Sequence, residues 1–292
     1  MNESLVVRVP ASSANLGAGF DVLAMALDLY LDIGFGDAPD GARPIDRHHP
    51  AAKAFSAVAG VDPPHPLWLR SAIPMARGLG FSGAARVAGA ALAVACVSGD
   101  RAAVQSAELT AERSTVLATA ARLERHGDNA AASVFGGIVA WVDGRVISLR
   151  VGPRLAGASV LTWIPDVTTS TDSSRGSLPE TVTRRNAVHN LGRVAQFVAA
   201  VEHDDPSLLG GATDDRLHQT TRLAEVPGAA ASLAAGVAAG AWCGWLSGSG
   251  PTVAFLVDGD RATAVAAALP DGGHVKHLHI AGRGVRLVTQ LG

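Results

Sequence analysis

The sequence predicts an α+β fold. Strand-like and helix-like segments are mixed along the chain, and strands joined by short turns outnumber strict strand–helix–strand units. The chain has 292 residues, 48% hydrophobic and 17% charged, enough to bury a large core in one big domain or in two lobes.

Taken in order, "SLVVRVP" reads as a short strand ending at Pro10, and "LDLYLDIGF" (27–35) alternates with period two, so one face is buried. "GDAPDGARPIDRHHP" has loop composition, and "AAKAFSAVAG" is a helix closed by Gly60. "PLWLRSAIP" is a strand stopped by Pro74. A glycine cluster follows, and then an apolar, alanine-rich helix through about Val97. One or two more helices reach "ERHG", and "DNAAASVFGG" starts another, with Asp128 a natural N-cap. "IVAWVDG" and "RVISLRV" form a hairpin, and "ASVLTWIPD" is a strand. A Ser/Thr-rich loop leads into the helix "ETVTRRNAVHNLGRVAQFVAAV". A further helix, a strand–glycine turn–strand, a helix and two closing strands complete the chain. A boundary at 153–157 divides it into residues 1–155 and 156–292.

Composition narrows the function. The net charge is −2 and no basic run occurs, so nucleic acid is not an expected partner. No apolar run reaches bilayer length and no signal peptide opens the chain, so a cytoplasmic protein without a membrane partner is expected. Cys96 and Cys243 both stand in apolar settings and read as buried reduced thiols. His277 and His279 share a strand face, but with no acid or cysteine beside them they read as solvated strand.

The glycine cluster "ARGLGFSGAARVAGAAL" admits three readings. As a dinucleotide-binding turn it lacks a first glycine at a strand end and an acid ending the next strand roughly 20 residues on. As a Walker A loop it lacks the lysine. The chain has only Lys53 and Lys276, neither of them near a glycine cluster. The third reading needs no lysine: converging backbone N–H groups and the positive end of a following helix make an anion site. A tight turn without a ligand stands equally open on these residues.

Five ordered segments extend the pattern: "VPASSANLGAGFDVLAMAL", the glycine loop, "ERHGDNAAASVFGG", "IPDVTTSTDSSRGSLP", and "LHQTTRLAEVP" followed by "LSGSGPTVAFL". Together they resemble the GHMP kinases over nearly the full length, and within them the branch that phosphorylates homoserine. The resemblance implies an N-terminal lobe of the ribosomal-protein-S5 type and a C-terminal ferredoxin-like lobe, with ATP and substrate meeting between them. The expected partners are the small-molecule substrate and ATP, with a homodimer left open.

The implied activity is transfer of the γ-phosphoryl of ATP to the hydroxyl of L-homoserine, a step of threonine biosynthesis. Another small hydroxy acid or amino alcohol, or binding without turnover, are the alternatives. By the resemblance, Arg77, Gly78, Leu79, Gly80, Phe81, Ser82, Gly83 and Ala84 wrap the phosphates, and Ser82 and Glu124 hold Mg²⁺. Arg175 and Arg222 take the substrate carboxylate, since a guanidinium grips it bidentately. Asn15, Asp21, Asp128 and Asn129 take the ammonium, with His126 orienting Asp128 or the substrate. Thr171 lies near the reacting hydroxyl, and Asp128 is the base to test. Phe81 and Gly83 stand where the family loop has serine and alanine, which leaves Ser82 as metal ligand and turns Phe81 toward the core. Bland readings stay open beside these: a helix-end acid for Glu124, a helix cap for Asp128, a surface ion pair for each arginine.

Overall fold

The computed structural model describes residues 5–98, 111–167, 176 and 178–288. Among them, seven strands form one antiparallel sheet and four form another.

The first sheet is built on β1 (Val6–Ala14) and β2 (Leu23–Phe35), paired antiparallel along their length. β1 runs past Pro10 rather than ending there. The ladder shifts register between Pro10 and Ala11, which lets a residue without an N–H stay inside the strand. β2 begins four residues earlier than its alternation suggests, because 23–27 ("LAMAL") is buried throughout and carries no period-two signal. β3 (Arg43–Ile45), inside the segment of loop composition, pairs with β4 (Leu67–Ser71), which pairs with β2. The hairpin of β5 (Ile138–Val142) and β6 (Arg145–Leu149) adds to β2 on the other side.

One face of this sheet is covered by α1 (Pro50–Ala59), α2 (Phe81–Ser98), α3 (Ala111–Glu124) and α4 (Asp128–Phe135). Gly60 closes α1 in the left-handed conformation, φ 73°. The inner part of α2 is nearly all alanine, valine and glycine. Gly89 shows why: a Cβ there would stand 1.9 Å from the Ala51 carbonyl oxygen of α1. Small side chains let these two helices touch backbone to backbone.

The second sheet has the order β10-β7-β9-β8, from β7 (Ser159–Pro165), β8 (Cys243–Leu246), β9 (Val253–Val257) and β10 (Gly273–His279). Before β7, α5 (Pro153–Ala156) joins the sheets. Between β7 and β8 come α6 (Arg184–Glu202), α7 (Gln219–Ala224) and α8 (Ala229–Ala238), and between β9 and β10 comes α9 (Ala262–Ala267). Strand–helix–strand–strand–helix–strand in that spatial order is the ferredoxin-like arrangement. β11 (Arg286–Val288) then crosses back to pair with β1, so the chain beyond 156 also completes the first sheet.

Two cysteines, one correction: Cys243 is buried and its thiol is pushed up to about 12 by burial, but Cys96 is exposed near the end of α2. No helix among the described residues is long and apolar enough to cross a membrane.

Candidate active site

Residues 76–83 turn at the head of α2. Gly78 (φ 72°) and Gly80 (φ 70°) sit in the left-handed region, open to residues without a Cβ. The first bond of the helix ladder runs from the Ala84 N–H to the Gly80 carbonyl, so the amides of Phe81, Ser82 and Gly83 lie ahead of that ladder. N–H groups so placed, together with the helix dipole, suit an anion.

Two other segments clamp this loop. Ser12 N–H donates to the Leu79 carbonyl, and the Ser247 hydroxyl donates to the Gly78 carbonyl at 2.6 Å. Ser13 and Ser247 share a hydrogen bond of 2.7 Å, the Trp245 indole donates to Ser13, and Gly248 N–H donates to the Ala14 carbonyl. The turn at 247–250 therefore presses main chain on main chain: a Cβ on Gly78 would lie 2.4 Å from the Ser247 oxygen.

These segments enclose a cavity of about 660 Å³. Its described wall carries four arginines (Arg77, Arg86, Arg125 and Arg222) and three carboxylates (Asp21, Glu124 and Asp128), but no lysine. Four lining residues other than glycine hold positive φ: Asn15, Asp21, Ala76 and Arg125. Backbone held in sparsely populated conformations gathers where a site must place groups accurately.

α4 starts at the wall. Its N-cap is Gly127, and Asp128 is the first helical residue, so the expected Asp128 cap is corrected. Asp128 Oδ1 accepts from the Asn129 N–H at 2.8 Å and lies 2.9 Å from His126 Nδ1, while its Oδ2 has no partner among the described residues. His126 stands between two carboxylates, with Nε2 3.8 Å from Glu124. Asn129 Oδ1 accepts from the Ser12 hydroxyl, tying α4 to β1.

Asn15 does less substrate-facing work than expected. Its Oδ1 accepts from the Asp21 N–H and its Nδ2 donates to the Gly248 carbonyl, so it braces the turn that carries Asp21. Arg222 on α7 is buried, yet it forms part of the wall. Its guanidinium lies over the Phe20 ring at 5.3 Å and donates toward His218 Nδ1 and the Gly248 carbonyl. Beneath it, His218 Nε2 meets the Gly17 carbonyl at 2.9 Å. An arginine only donates and a carbonyl only accepts, so His218 must be the neutral tautomer with its proton on Nε2. Burial pushes the imidazole below its ordinary value in the same direction, against the pull of Asp215. Burial pushes the Asp215 carboxyl up, but the facing His218 ring and hydrogen bonds from the Gln219 amide, Asn190 and the His218 amide hold it low.

A divalent cation fits the chemistry of Ser82 and Glu124. Their oxygens converge on a single atom, Arg86 Nη1, so they are placed to share one cation.

Comparison with known proteins follows the same lines. The model of the GHMP kinases N terminal domain matches residues 47–137, and that of the GHMP kinases C terminal domain matches 197–275. The chain belongs to the GHMP kinase family. A homoserine kinase of Moorella thermoacetica is 40% identical over 265 residues, covering 85% of this chain and 86% of its own. One from Thermus thermophilus is 36% identical over 273 residues, covering 89% of each. The crystal structure of a homoserine kinase from Cytophaga hutchinsonii superposes with a TM-score of 0.80 at 25% identity, over 99% of this chain and 98% of that one.

In this GHMP kinase, Asn15, Asp21, Gly78, Leu79, Gly80, Phe81, Ser82, Gly83, Glu124, His126, Asp128, Asn129 and Arg222 all line the one cavity. Arg77 also lines it, although its guanidinium donates to the carbonyls of Asp166 and Val167. Ala84 is not brought there: it is fully buried and its N–H is committed to Gly80. Thr171 and Arg175 lie outside the described residues. Phe81 packs against the core and stands edge-on to His49, with ring centroids 6.3 Å apart. Sequence reasoning missed Arg86, Ser12 and His218, and had Ser247 only as the start of the "SGSGP" turn, without its side-chain hydrogen bonds. Arg86 and His218 carried a usable signal, since Arg86 stands four residues after Ser82 on one helix face and His218, the N-cap of α7, four residues before Arg222.

Proposed function

We propose that this GHMP kinase transfers the γ-phosphoryl group of ATP to the side-chain hydroxyl of L-homoserine, giving O-phospho-L-homoserine and ADP in threonine biosynthesis. The observation that carries the proposal is continuity. One cavity joins a lysine-free glycine loop at a helix head to Asp21, Asp128 and a buried Arg222. That is a triphosphate cradle opening onto groups that suit an amino acid. The similarity to homoserine kinases over most of the chain selects this amino acid.

The roles follow from the chemistry. The amides at 78–83 take the β- and γ-phosphates, and the nearby arginines add positive charge as the phosphoryl group moves. Ser82 and Glu124 would hold Mg²⁺, whose charge would offset that of the phosphate oxygens. Arg222 takes the homoserine carboxylate and Asp21 its ammonium, which fixes the hydroxyl beside the phosphate. The hydroxyl oxygen bonds to the γ-phosphorus as the bond to the β–γ bridging oxygen breaks. The hydroxyl proton goes to Asp128 Oδ2, with Oδ1 anchored by His126 and the Asn129 amide. Thr171 and Arg175 are assigned to the hydroxyl and the carboxylate on resemblance alone. In this division residues 1–155 supply the phosphate loop, and 156–292 contribute Arg222 and the turn at 248–249.

A coupled ADP-release assay over homoserine, threonine, mevalonate and pantoate tests the proposal. Release with homoserine alone is expected. Release with another acceptor instead, or with none despite measurable ATP binding, overturns it.

A further inference from the structure

Arg86 is the only charged residue of α2, an 18-residue helix otherwise built from small and apolar residues and two serines. It points into the cavity rather than to bulk solvent: its side chain is 20% exposed and that of its partner Glu124 is 8% exposed. One nitrogen, Nη1, donates to both the Ser82 hydroxyl and Glu124 Oε1. The partners come from two elements, Ser82 one turn earlier on α2 and Glu124 at the end of α3, 38 residues along the chain. No packing demand explains a cation here, since the neighbouring positions of α2 are filled by alanine and valine.

We propose that Arg86 is the resident cation of the nucleotide-free site. Its guanidinium holds Ser82 and Glu124 together and keeps a free divalent cation out. It moves to phosphate oxygens when the metal arrives with the nucleotide. The proposal rests on the reading that Ser82 and Glu124 are the metal ligands. Two cations cannot share one pair of oxygens at contact distance without strong repulsion. A metal alone must therefore displace the guanidinium into a cavity that already holds three other arginines. A metal that comes with a triphosphate brings new anionic acceptors, which a planar guanidinium grips well. Arg86 thus couples metal entry to nucleotide entry.

The test uses Mn²⁺ as probe, followed by electron paramagnetic resonance, on the full chain. Without nucleotide, Arg86→Met should bind Mn²⁺ about tenfold more tightly than the wild type, or more, the worth of removing a competing charge-assisted hydrogen bond. The gain should vanish in Arg86→Met/Glu124→Gln. With a non-hydrolysable ATP analogue present, Arg86→Met should bind the analogue several-fold more weakly, a sign opposite to the first. Should Arg86→Met fail to fold, Arg86→Gln, also uncharged, must show the same two signs. A neutral variant whose Mn²⁺ affinity without nucleotide is unchanged or weaker overturns the proposal. The underlying metal reading is tested separately with the single Glu124→Gln variant in the presence of the analogue. Lost Mn²⁺ binding there upholds the ligands whatever Arg86 does. Unchanged Mn²⁺ binding removes the ligands and the proposal together.

Discussion

Gly78→Ala probes the clamp between the phosphate loop and the turn at 247–250. Two effects add. Alanine at φ 72° is strained, at about 1–2 kcal/mol for a left-handed non-glycine residue. The new Cβ would also stand 2.4 Å from the Ser247 carbonyl oxygen and 2.8 Å from that of Gly250, both main-chain atoms. To reach ordinary contact at 3.4 Å, the loops must part by the 1.0 Å between 2.4 and 3.4 Å. A shift of that size at a reacting centre lowers kcat by about 100-fold. Gly60→Ala is the control. Its φ is 73°, but nothing lies within 4 Å of the added Cβ, so it carries the strain without the clash. Each kcal/mol lowers Tm by about 2–4 °C in a chain of this class. Both variants should lose a few degrees by thermal denaturation, Gly78→Ala more, and only Gly78→Ala should lose turnover in the ADP-release assay. Wild-type kcat in Gly78→Ala, or an equal loss in Gly60→Ala, would refute the reasoning.

Other outcomes follow from the same geometry. Asp128→Asn should lower kcat by about 100-fold or more while homoserine KM changes little, as expected for loss of a proton acceptor; a change confined to KM would make Asp128 a binding group only. Arg222→Lys should raise homoserine KM by about 10- to 100-fold with ATP KM unaffected, since an ammonium cannot repeat the bidentate grip, and equal effects on both substrates would place the carboxylate elsewhere. His218 is held below its ordinary value of 6.5 by burial, so the unfolded chain takes up its proton first. Its contribution is complete above pH 6.5 and fades as pH falls below it, by at most about 1.4 kcal/mol per pH unit. Melting curves between pH 7.5 and 5.5 should show a shallower fall for His218→Gln than for the wild type, and parallel curves would exclude His218 as the cause.

Much of this architecture was legible in the chain. The Phe81–Ser98 helix, the hairpin at 138–149 and the strand–turn–strand at 243–257 rest on local periodicity and glycine punctuation, which survive without tertiary information. The start of β2 was not legible, because a strand buried on both faces has no alternation. The reach of β1 past Pro10 depends on a register shift set by its partner. At the site, the glycine loop and the Glu124–Asn129 segment were visible as motifs. What Arg86 touches was half legible: Ser82 lies one turn earlier on the same helix, whereas Glu124 lies 38 residues away. The bracing role of Asn15 likewise depends on Gly248, 233 residues distant. Residue type announces which groups a site holds, whereas long-range contact decides which of them face the ligand.

The most direct measurement is a crystal structure with a non-hydrolysable ATP analogue, Mg²⁺ and homoserine. It should place the β- and γ-phosphates within hydrogen-bond distance of the main-chain amides of 78–83, with the homoserine carboxylate on Arg222. A triphosphate bound away from that loop, or a Phe81 ring filling the space at the head of α2, would contradict the account.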